Sequence, residues 1–504
     1  MKRIGIIDLG SNNARLVVFE LFGESYFTVI DEYEESVRLG QDMEKGALLK
    51  PMRIAETIKI LRFFKKLADS YKVDKIIAVA TSAVRMAKNQ RSFLDEIQSS
   101  CGIKLRVLSE EEEAMLIYRS VINSLDVPKG LVVEIGGGST KIVYYNRRTI
   151  LNYASLPFGA VTLTDMFKEK QLSPNEQAIA IEKFIKKQFD AIDWLKDIDQ
   201  ETQMIGVGGS FRNLFKIYQM THKYPLNSVH NYHMNVDDFQ ELYDMIKGLD
   251  LDRKKKIKGI AANRADILTA AFAIIKSFTE LFNFDMFILG RAGIREGIIF
   301  QEELPISNDK PMSDIMQYSI DTILAYHNIE KTHITHVVHL SKQLFIQLRV
   351  LHKLSKSYLK ILLLAANLHD IGRLVKFYDH QKHSCYFIHN AHLYGVTHRE
   401  MVLAGFVASC HHNEEITNAE WLRFRGIITE EDLENVKKLG VILRIAESLD
   451  RSHSGVVKNI NCDILGDSAI MKLEVEDNAD LEIRSAMKAF TEFKKFFHKN
   501  LEIL

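Results

Sequence analysis

Cysteine is nearly missing from this chain: four residues, Cys101, Cys385, Cys410 and Cys462, in 504, with no CxxC pair among them. That scatter argues against a disulfide framework and against a zinc knuckle. Net charge is also missing, since Lys plus Arg and Asp plus Glu are 66 each. With no global field to recruit a polyanion, an anionic ligand must be held by a local cluster of cations. No apolar run approaches the roughly eighteen residues of a membrane span; "ILLLAANL" at 361–368 reads as a buried helix. Lys2 and Arg3 lead into an apolar stretch that Asp8 interrupts too early for a signal peptide. The expectation is a cytoplasmic protein with no membrane partner and no specific nucleic acid. Histidine is absent before His222, and 15 of the 18 follow residue 300. The first half must therefore work with carboxylates, hydroxyls, backbone amides and arginines, while the last third can use imidazoles as metal ligands.

What is present is an ordinary globular composition, 46% apolar and 26% charged, in a chain long enough for roughly two to four domains. The first 300 residues alternate strand-like and helix-like segments, an α/β pattern. "RIGIIDL", "ARLVVFELF" and "YFTVIDEY" read as three consecutive strands, residues 52–71 as an amphipathic helix and "KIIAVAT" as a buried strand. Ser109 followed by four glutamates predicts a helix start over 109–125. The opening pattern then returns. "VVEIGGGSTKIVYY" (132–145) overlays "IIDLGSNNARLVVF" (6–19) at an offset of 126 without a gap, setting Asp8 on Glu134, Gly10 on Gly136 and Arg15 on Lys141. The economical reading is two similar α/β lobes, 1–123 and 124–304, facing each other across a cleft. Pro305 and Pro311 bracket a linker, a helical domain spans 312–455, and 456–504 form a small α/β tail with a strand "AIMKLEVE" and a last helix over 479–501.

Glycine-rich turns after strands expose backbone N–H groups without side chains in the way, a ready anion nest. Three occur here. The first offers Asp8, Gly10, Ser11, Asn12 and Asn13, with Arg15 just after; the second offers Gly136, Gly137, Gly138, Ser139 and Thr140, with Lys141; the third offers Gly208, Gly209 and Ser210, with Arg212. Any one could merely reverse the chain. Two in register and a third opening a helix point to phosphate binding.

These residues carry a resemblance. "IDLGSNNARLVV", "ATSAVRMAKN", "LSEEEEAMLIY", "EIGGGSTKIV", "GVGGSFRNL" and "GRAGIREGII", in that order, resemble the exopolyphosphatase and guanosine-pentaphosphatase family. The resemblance implies two actin, Hsp70 and sugar-kinase-like (RNase H-like) lobes, and release of terminal phosphate from inorganic polyphosphate or pppGpp with a divalent metal such as Mg2+. It places the water-activating glutamate on Glu113, with Glu112 beside it, a phosphate grip on Arg85, and cleft metal ligation on Glu134 and its counterpart Asp8; a homodimer is one expected assembly. Arg212, Arg291 and Arg295 are further candidate cleft cations, with salt bridging as the alternative. The chain departs from the family pattern at Glu134, where Asp is usual, and at Lys141, where Glu is usual. Lys141 cannot ligate a cation at neutral pH. Either it grips phosphate directly, beside Arg15, or the cleft binds its ligand with weakened hydrolysis; the alternative is that it points out of the cleft.

The C-terminal region resembles the HD-type domain of long family members. "LHDIGR" places His369 and Asp370 together, and an adjacent His-Asp with one outer His and one outer Asp can assemble four metal ligands from separate helices. His333 and Asp450 complete that set, and His383, His411 and His412 are candidates for a second ion or for phosphate. Three functions compete: a terminal phosphohydrolase, a non-hydrolytic sensor of polyphosphate or (p)ppGpp, and an HD-type nucleotide phosphohydrolase. A kinase on the shared fold is weaker, because no sugar-binding signature is visible.

Overall fold

The computed structural model describes residues 1–23, 25–41, 43, 47–168, 172–304, 311–412 and 416–504; the expected linker between Pro305 and Pro311 lies outside the described residues. The chain divides into an N-terminal unit, residues 1–224 with 229–315, and a C-terminal unit, residues 316–504 with 225–228.

The N-terminal unit is built on two mixed sheets of the same plan. In the first, β1 (Lys2–Leu9), β2 (Asn13–Phe22) and β3 (Tyr26–Ser36) form an antiparallel meander, and β4 (Lys75–Ala80) and β5 (Leu105–Val107) extend the sheet parallel to β1, giving the order β3-β2-β1-β4-β5. In the second, β6 (Lys129–Ile135), β7 (Thr140–Asn146) and β8 (Thr149–Leu156) repeat the meander. There β9 (Gln203–Val207) lies parallel to β6, and β10 (Tyr232–Asn235) and β11 (Met286–Leu289) complete the order β10-β11-β9-β6-β7-β8. The sequence repeat survives as register: Asp8 pairs with Arg15 across the first hairpin, and Glu134 with Lys141 across the second.

Each sheet has its own core. Ile7, Leu9, Leu16 and Val18 pack with Leu61 and Phe64 of the helix Pro51–Ser70. Leu131, Val133 and Ile142 pack with Phe211, Phe239, Phe272 and Phe278. Full burial of side chains this size stabilises by roughly 1.5–3 kcal/mol each, which holds the turns at the strand ends rigid. The helix predicted from Ser109 runs Glu110–Ile122 and lies against β6, β7 and β8. It also packs against the short helix Ile294–Ile298 and the turn Ile299–Glu303 that follows it. A Cβ on Gly297 would sit 2.1 Å from the Leu116 carbonyl oxygen, so only glycine permits that approach.

In the C-terminal unit, the helices Thr332–Gln347, Ser357–Leu368, His380–Asn390, His398–Cys410 and Glu430–Ser448 pack together. The tail differs from its sequence reading. The single helix expected over 479–501 is broken: Phe490–Phe497 ends at His498 in the left-handed region (φ 55°). The chain then turns into β14 (Asn500–Ile503), which joins β12 (Val457–Leu465) and β13 (Ser468–Val475) in a three-stranded sheet.

Candidate functional site

The first two turns of the N-terminal unit are built alike. The Gly10 N–H donates to the Asn13 carbonyl at 3.0 Å, and the Gly136 N–H to the Ser139 carbonyl at 3.0 Å. They also face each other closely. A Cβ on Gly138 would come 2.9 Å from Ser82 Oγ and 3.0 Å from Ser11 Oγ, two hydroxyls that share a 2.9 Å hydrogen bond. The third turn joins them: Ser210 Oγ donates to the Ile135 carbonyl at 3.2 Å, and Gly208, at φ +91°, lets the chain pass against Glu134. Together they line a cavity of about 100 Å³ that includes Asp8, Arg15, Glu134 and Arg264.

Beneath the second turn lies Glu113, 0% exposed. The Lys141 ammonium pairs with Glu113 Oε2 at 2.6 Å and donates to Ser139 Oγ at 2.7 Å. Arg85 approaches Glu113 Oε1 at 3.4 Å and donates to the Leu108 carbonyl at 2.8 Å. Glu113 Oε1 and Glu134 Oε2 are buried and accept no hydrogen bond. Burial pushes the Glu134 carboxyl above its ordinary range against the opposing pull of Lys141, and does the same to Asp8 against Arg295 and Arg15. These are one buried and two half-buried carboxylates only partly compensated, a fit for a cation.

A second cavity, about 390 Å³, shares Arg15 and adds Arg212, Arg291 and Arg295 opposite Glu32, Glu34 and Glu296. Arg15 pairs with Glu34 at 2.6 Å and Arg295 with Glu32 at 2.9 Å. Burial drives Arg212 well below its ordinary range, reinforced by Arg15 and Arg295. A guanidinium does not deprotonate in a protein, so Arg212 stays charged, desolvated and beside Arg15 and Arg295 with Glu32 as partial compensation, a setting that a phosphate would relieve.

In the C-terminal unit the histidines converge. His333, His369 and Asp370 form one group, and His380, His411 and His412 another, each with ligand atoms within 4.8 Å of one another. His333 Nδ1 meets Asp450 Oδ2 at 2.7 Å, His369 Nδ1 the Ala366 carbonyl at 2.8 Å, His380 Nδ1 the Phe377 carbonyl at 3.0 Å, and His411 Nδ1 the Ala408 carbonyl. Those oxygens only accept, so in the neutral ring the proton sits on Nδ1 and Nε2 presents a lone pair. The Nε2 atoms of His333, His369 and His411 are buried without a hydrogen-bond partner, which a polar core would not tolerate cheaply, whereas His380 Nε2 pairs with Asp370 Oδ1 at 3.1 Å. A metal ion fits such a donor set, with the Nδ1 acceptors orienting the rings.

A family model described as the Ppx/GppA phosphatase family matches residues 17–305, and one described as Ppx/GppA phosphatase, domain III, matches residues 315–487. The chain belongs to the Ppx/GppA phosphatase family. Among relatives, a guanosine-5'-triphosphate,3'-diphosphate pyrophosphatase of Aeromonas salmonicida is 27% identical over 403 residues, 78% of this chain and 77% of that protein. A bifunctional 3-dehydroquinate synthase/phosphatase of Fusobacterium nucleatum is 27% identical over 58% of this chain, and the match spans 46% of that protein's length. Among solved structures, the Aquifex aeolicus Ppx/GppA family member aligns at TM-score 0.50 and 29% identity, over 59% of this chain and 96% of that one. An exopolyphosphatase from Cytophaga hutchinsonii, at TM-score 0.55 and 22% identity over 61% of this chain and 99% of that one, shares the actin-like fold.

Within this Ppx/GppA chain, the three turns and Arg15 come together around the first cavity. Lys141 neither points out of the cleft nor stands free for phosphate: it is 4% exposed and paired with Glu113. Glu112 is turned away from that pair, because its carboxylate accepts from the Ser109 N–H at 2.7 Å in a capping box and pairs with Arg106 at 3.3 Å. Asp450, expected beside Asp370, instead meets His333 and His336 at their Nδ1 atoms and accepts from the Gly455 N–H at 2.9 Å. His383 lies outside both histidine groups. His380, one helical turn before it, takes the place expected for it, and its position as the first residue of that helix is the signal that could have found it. Arg264, which pairs with Glu34 at 3.0 Å, carries no sequence signal of its role.

Proposed function

We propose that the N-terminal unit is a phosphohydrolase that releases terminal phosphate from inorganic polyphosphate or pppGpp. The observation that carries this reading is Glu113, buried and held between Lys141 and Arg85 directly behind the second phosphate-type turn. In this mechanism the N–H groups and hydroxyls of the three turns hold the terminal phosphate, and Arg15, Arg212, Arg291 and Arg295 hold the rest of the chain. A phosphate arriving at Ser139 competes with Glu113 for the Lys141 ammonium and so frees the carboxylate. Glu113 then takes a proton from water as the water oxygen bonds to the terminal phosphorus, and the bridging P–O bond breaks in line. Asp8 and Glu134 would hold a divalent ion such as Mg2+, which supplies charge neutralisation for the phosphate when bound. Lys141, 4.0 Å from Glu134, already brings one positive charge there, so this chain depends on the ion less than a relative with a carboxylate at that position.

A second reading is a non-hydrolytic sensor of polyphosphate or (p)ppGpp, favoured by the two cations that engage the Glu113 carboxylate. Purified protein given polyphosphate and pppGpp side by side, with and without Mg2+, separates them: phosphate release supports the hydrolase, and tight binding without release supports the sensor.

For the C-terminal unit the reading is an HD-type helical domain over 312–455, followed by the 456–504 tail, with one divalent metal held by His333, His369 and Asp370 and with Asp450 orienting His333. The same reading keeps lobes at 1–123 and 124–304 and a cytoplasmic protein. Among the described residues no helix is long and apolar enough to cross a membrane.

A further inference from the structure

We propose that Glu32 and Glu34 occupy phosphate positions among the cleft cations, and that the need to displace them keeps a single phosphate from holding the site while a linked chain of phosphates can. The proposal rests on the reading of the arginine-lined cavity as the seat of a phosphate chain, and names the residues that decide which anions enter it.

Strand β3 carries both carboxylates on one face, since residues two apart point the same way and stand roughly 7 Å apart. Glu34 is held by donors from separate segments. Its Oε2 pairs with Arg15 Nη2 at 2.6 Å, and its Oε1 accepts from Arg264 Nη2 at 3.0 Å and from the Asn13 side-chain amide. Asn13 closes the first turn, Arg15 follows it on β2, and Arg264 lies 230 residues from Glu34 along the chain. Asn13, Arg15 and Arg264 all line the first cavity, so one carboxylate takes up donors that a phosphate would use. Glu32 does the same to Arg295 at 2.9 Å. Against the upward push of partial burial, Arg15 and Arg264 hold the Glu34 carboxyl below its ordinary range, and Arg295, Arg15 and Arg212 hold Glu32 there.

A cross-strand ion pair accounts for Arg15 and Glu34, which face each other in the β2–β3 ladder, but not for Asn13 and Arg264 closing on the other oxygen. Nor does the carboxylate satisfy the site. Arg15 Nε is buried with no hydrogen-bond partner, and a phosphate carries enough oxygens to meet Nε and Nη2 of the fork together with Arg264. Arg212, in the same cavity as Glu32 and Glu34, donates to the Arg291 carbonyl at 3.5 Å and forms no ion pair among the described residues. It offers an arriving phosphate an unpaired charge. The selection follows from valence. Each glutamate is tethered, so it competes at the high effective concentration of an intramolecular group. Orthophosphate brings one anion against it. A chain that has displaced one glutamate presents its next phosphate to the other within the same complex, and recovers through linked contacts what each contact loses. Orthophosphate released by turnover yields its place to Glu34.

The test uses the full chain, with binding of polyphosphate and of orthophosphate measured by calorimetry in EDTA. Glu34→Gln keeps the shape and the amide and guanidinium contacts but removes the charge. It should tighten both ligands roughly threefold to tenfold, and orthophosphate should become a stronger competitive inhibitor of phosphate release. Glu32→Gln should tighten polyphosphate by a similar factor, and carries the test at Arg295 should Glu34→Gln fail to fold. Glu35→Gln removes the same charge from the opposite face of β3 and should change neither affinity. A purely structural ion pair gives the reverse sign, because Arg15 and Arg264 lose their anchor and bind phosphate less well. Weaker or unchanged polyphosphate binding in Glu34→Gln and Glu32→Gln, with wild-type phosphate release intact, would overturn the inference and leave the hydrolase reading standing. Equal tightening in Glu35→Gln would reduce the effect to net charge and overturn it as well. No polyphosphate binding by wild type or any variant would overturn it together with the cleft reading.

Discussion

Lys141 shows how a single residue sets the character of the cleft. It is nine-tenths buried and bonded to Glu113 and Ser139, and breaking a buried ion pair from one side leaves an uncompensated charge that costs about 3–5 kcal/mol. Lys141→Glu would place a third carboxylate beside Glu113 and Glu134. The expected outcome is a lower melting temperature in EDTA that Mg2+ restores, read by thermal denaturation with and without the ion; equal melting in both buffers would mean that the cleft recruits no cation. Glu113→Gln keeps the shape and removes the base. Phosphate release should fall by roughly a hundredfold or more while polyphosphate binding stays within a fewfold of wild type. Near-normal turnover in that variant would take the base role away from Glu113; Glu112, committed to its capping box, is badly placed to inherit it.

At the level of elements, the site depends on turns that approach each other more closely than side chains allow. Gly159 is the clearest case. A Cβ there would come 2.4 Å from the Gly136 carbonyl oxygen, which in turn accepts the Ala160 N–H at 2.9 Å. The obstacle is backbone, so it cannot swing aside. Gly159→Ala should cost about 1–3 kcal/mol of stability and displace the second turn, raising KM for polyphosphate more than it lowers the melting temperature of the C-terminal unit. An unchanged KM would show that the turn does not contact substrate. The capping box at Ser109 acts in the same way on the helix that carries Glu113: Ser109→Ala should cost about 1 kcal/mol.

Across the whole molecule, the buried His230 and the half-buried His389 tie stability to pH. Burial pushes both His230, in the N-terminal unit, and His389, in the C-terminal unit, down to about 4 from 6.5. Between those values the unfolded chain binds a proton that the folded chain refuses, so unfolding is favoured as pH falls through that window. Each group's contribution is complete above 6.5 and is lost at roughly 1.4 kcal/mol per pH unit below it. Denaturant unfolding of His389→Gln should therefore show a flatter decline between pH 6.5 and 4 than wild type; parallel curves would mean that His389 does not resist protonation. Zero net charge also makes a prediction. Polyphosphate affinity should fall steeply with added salt, because Arg15, Arg212, Arg291 and Arg295 must hold it locally.

What could be read without the structure was whatever depends on neighbours in sequence. The 126-residue repeat was legible because hairpin formation is set by alternation and turn chemistry, and it reappears as the Asp8–Arg15 and Glu134–Lys141 pairings. The Ser109 helix start was legible because a cap acts within one turn. The family motifs marked Glu113 as well, but nothing local says that Lys141, on a different element, would reach it. Tertiary structure alone decided that pairing, because strand β7 and the helix Glu110–Ile122 meet only when the N-terminal unit folds. It likewise chose His380 over His383: both lie on one helix face, and only the position of Asp370 on a separate segment selects between them. The tail helix was overextended for the same reason. Its amphipathic pattern continues past Phe497, but the open edge of β13 offers residues 500–503 backbone partners that a helix end cannot match.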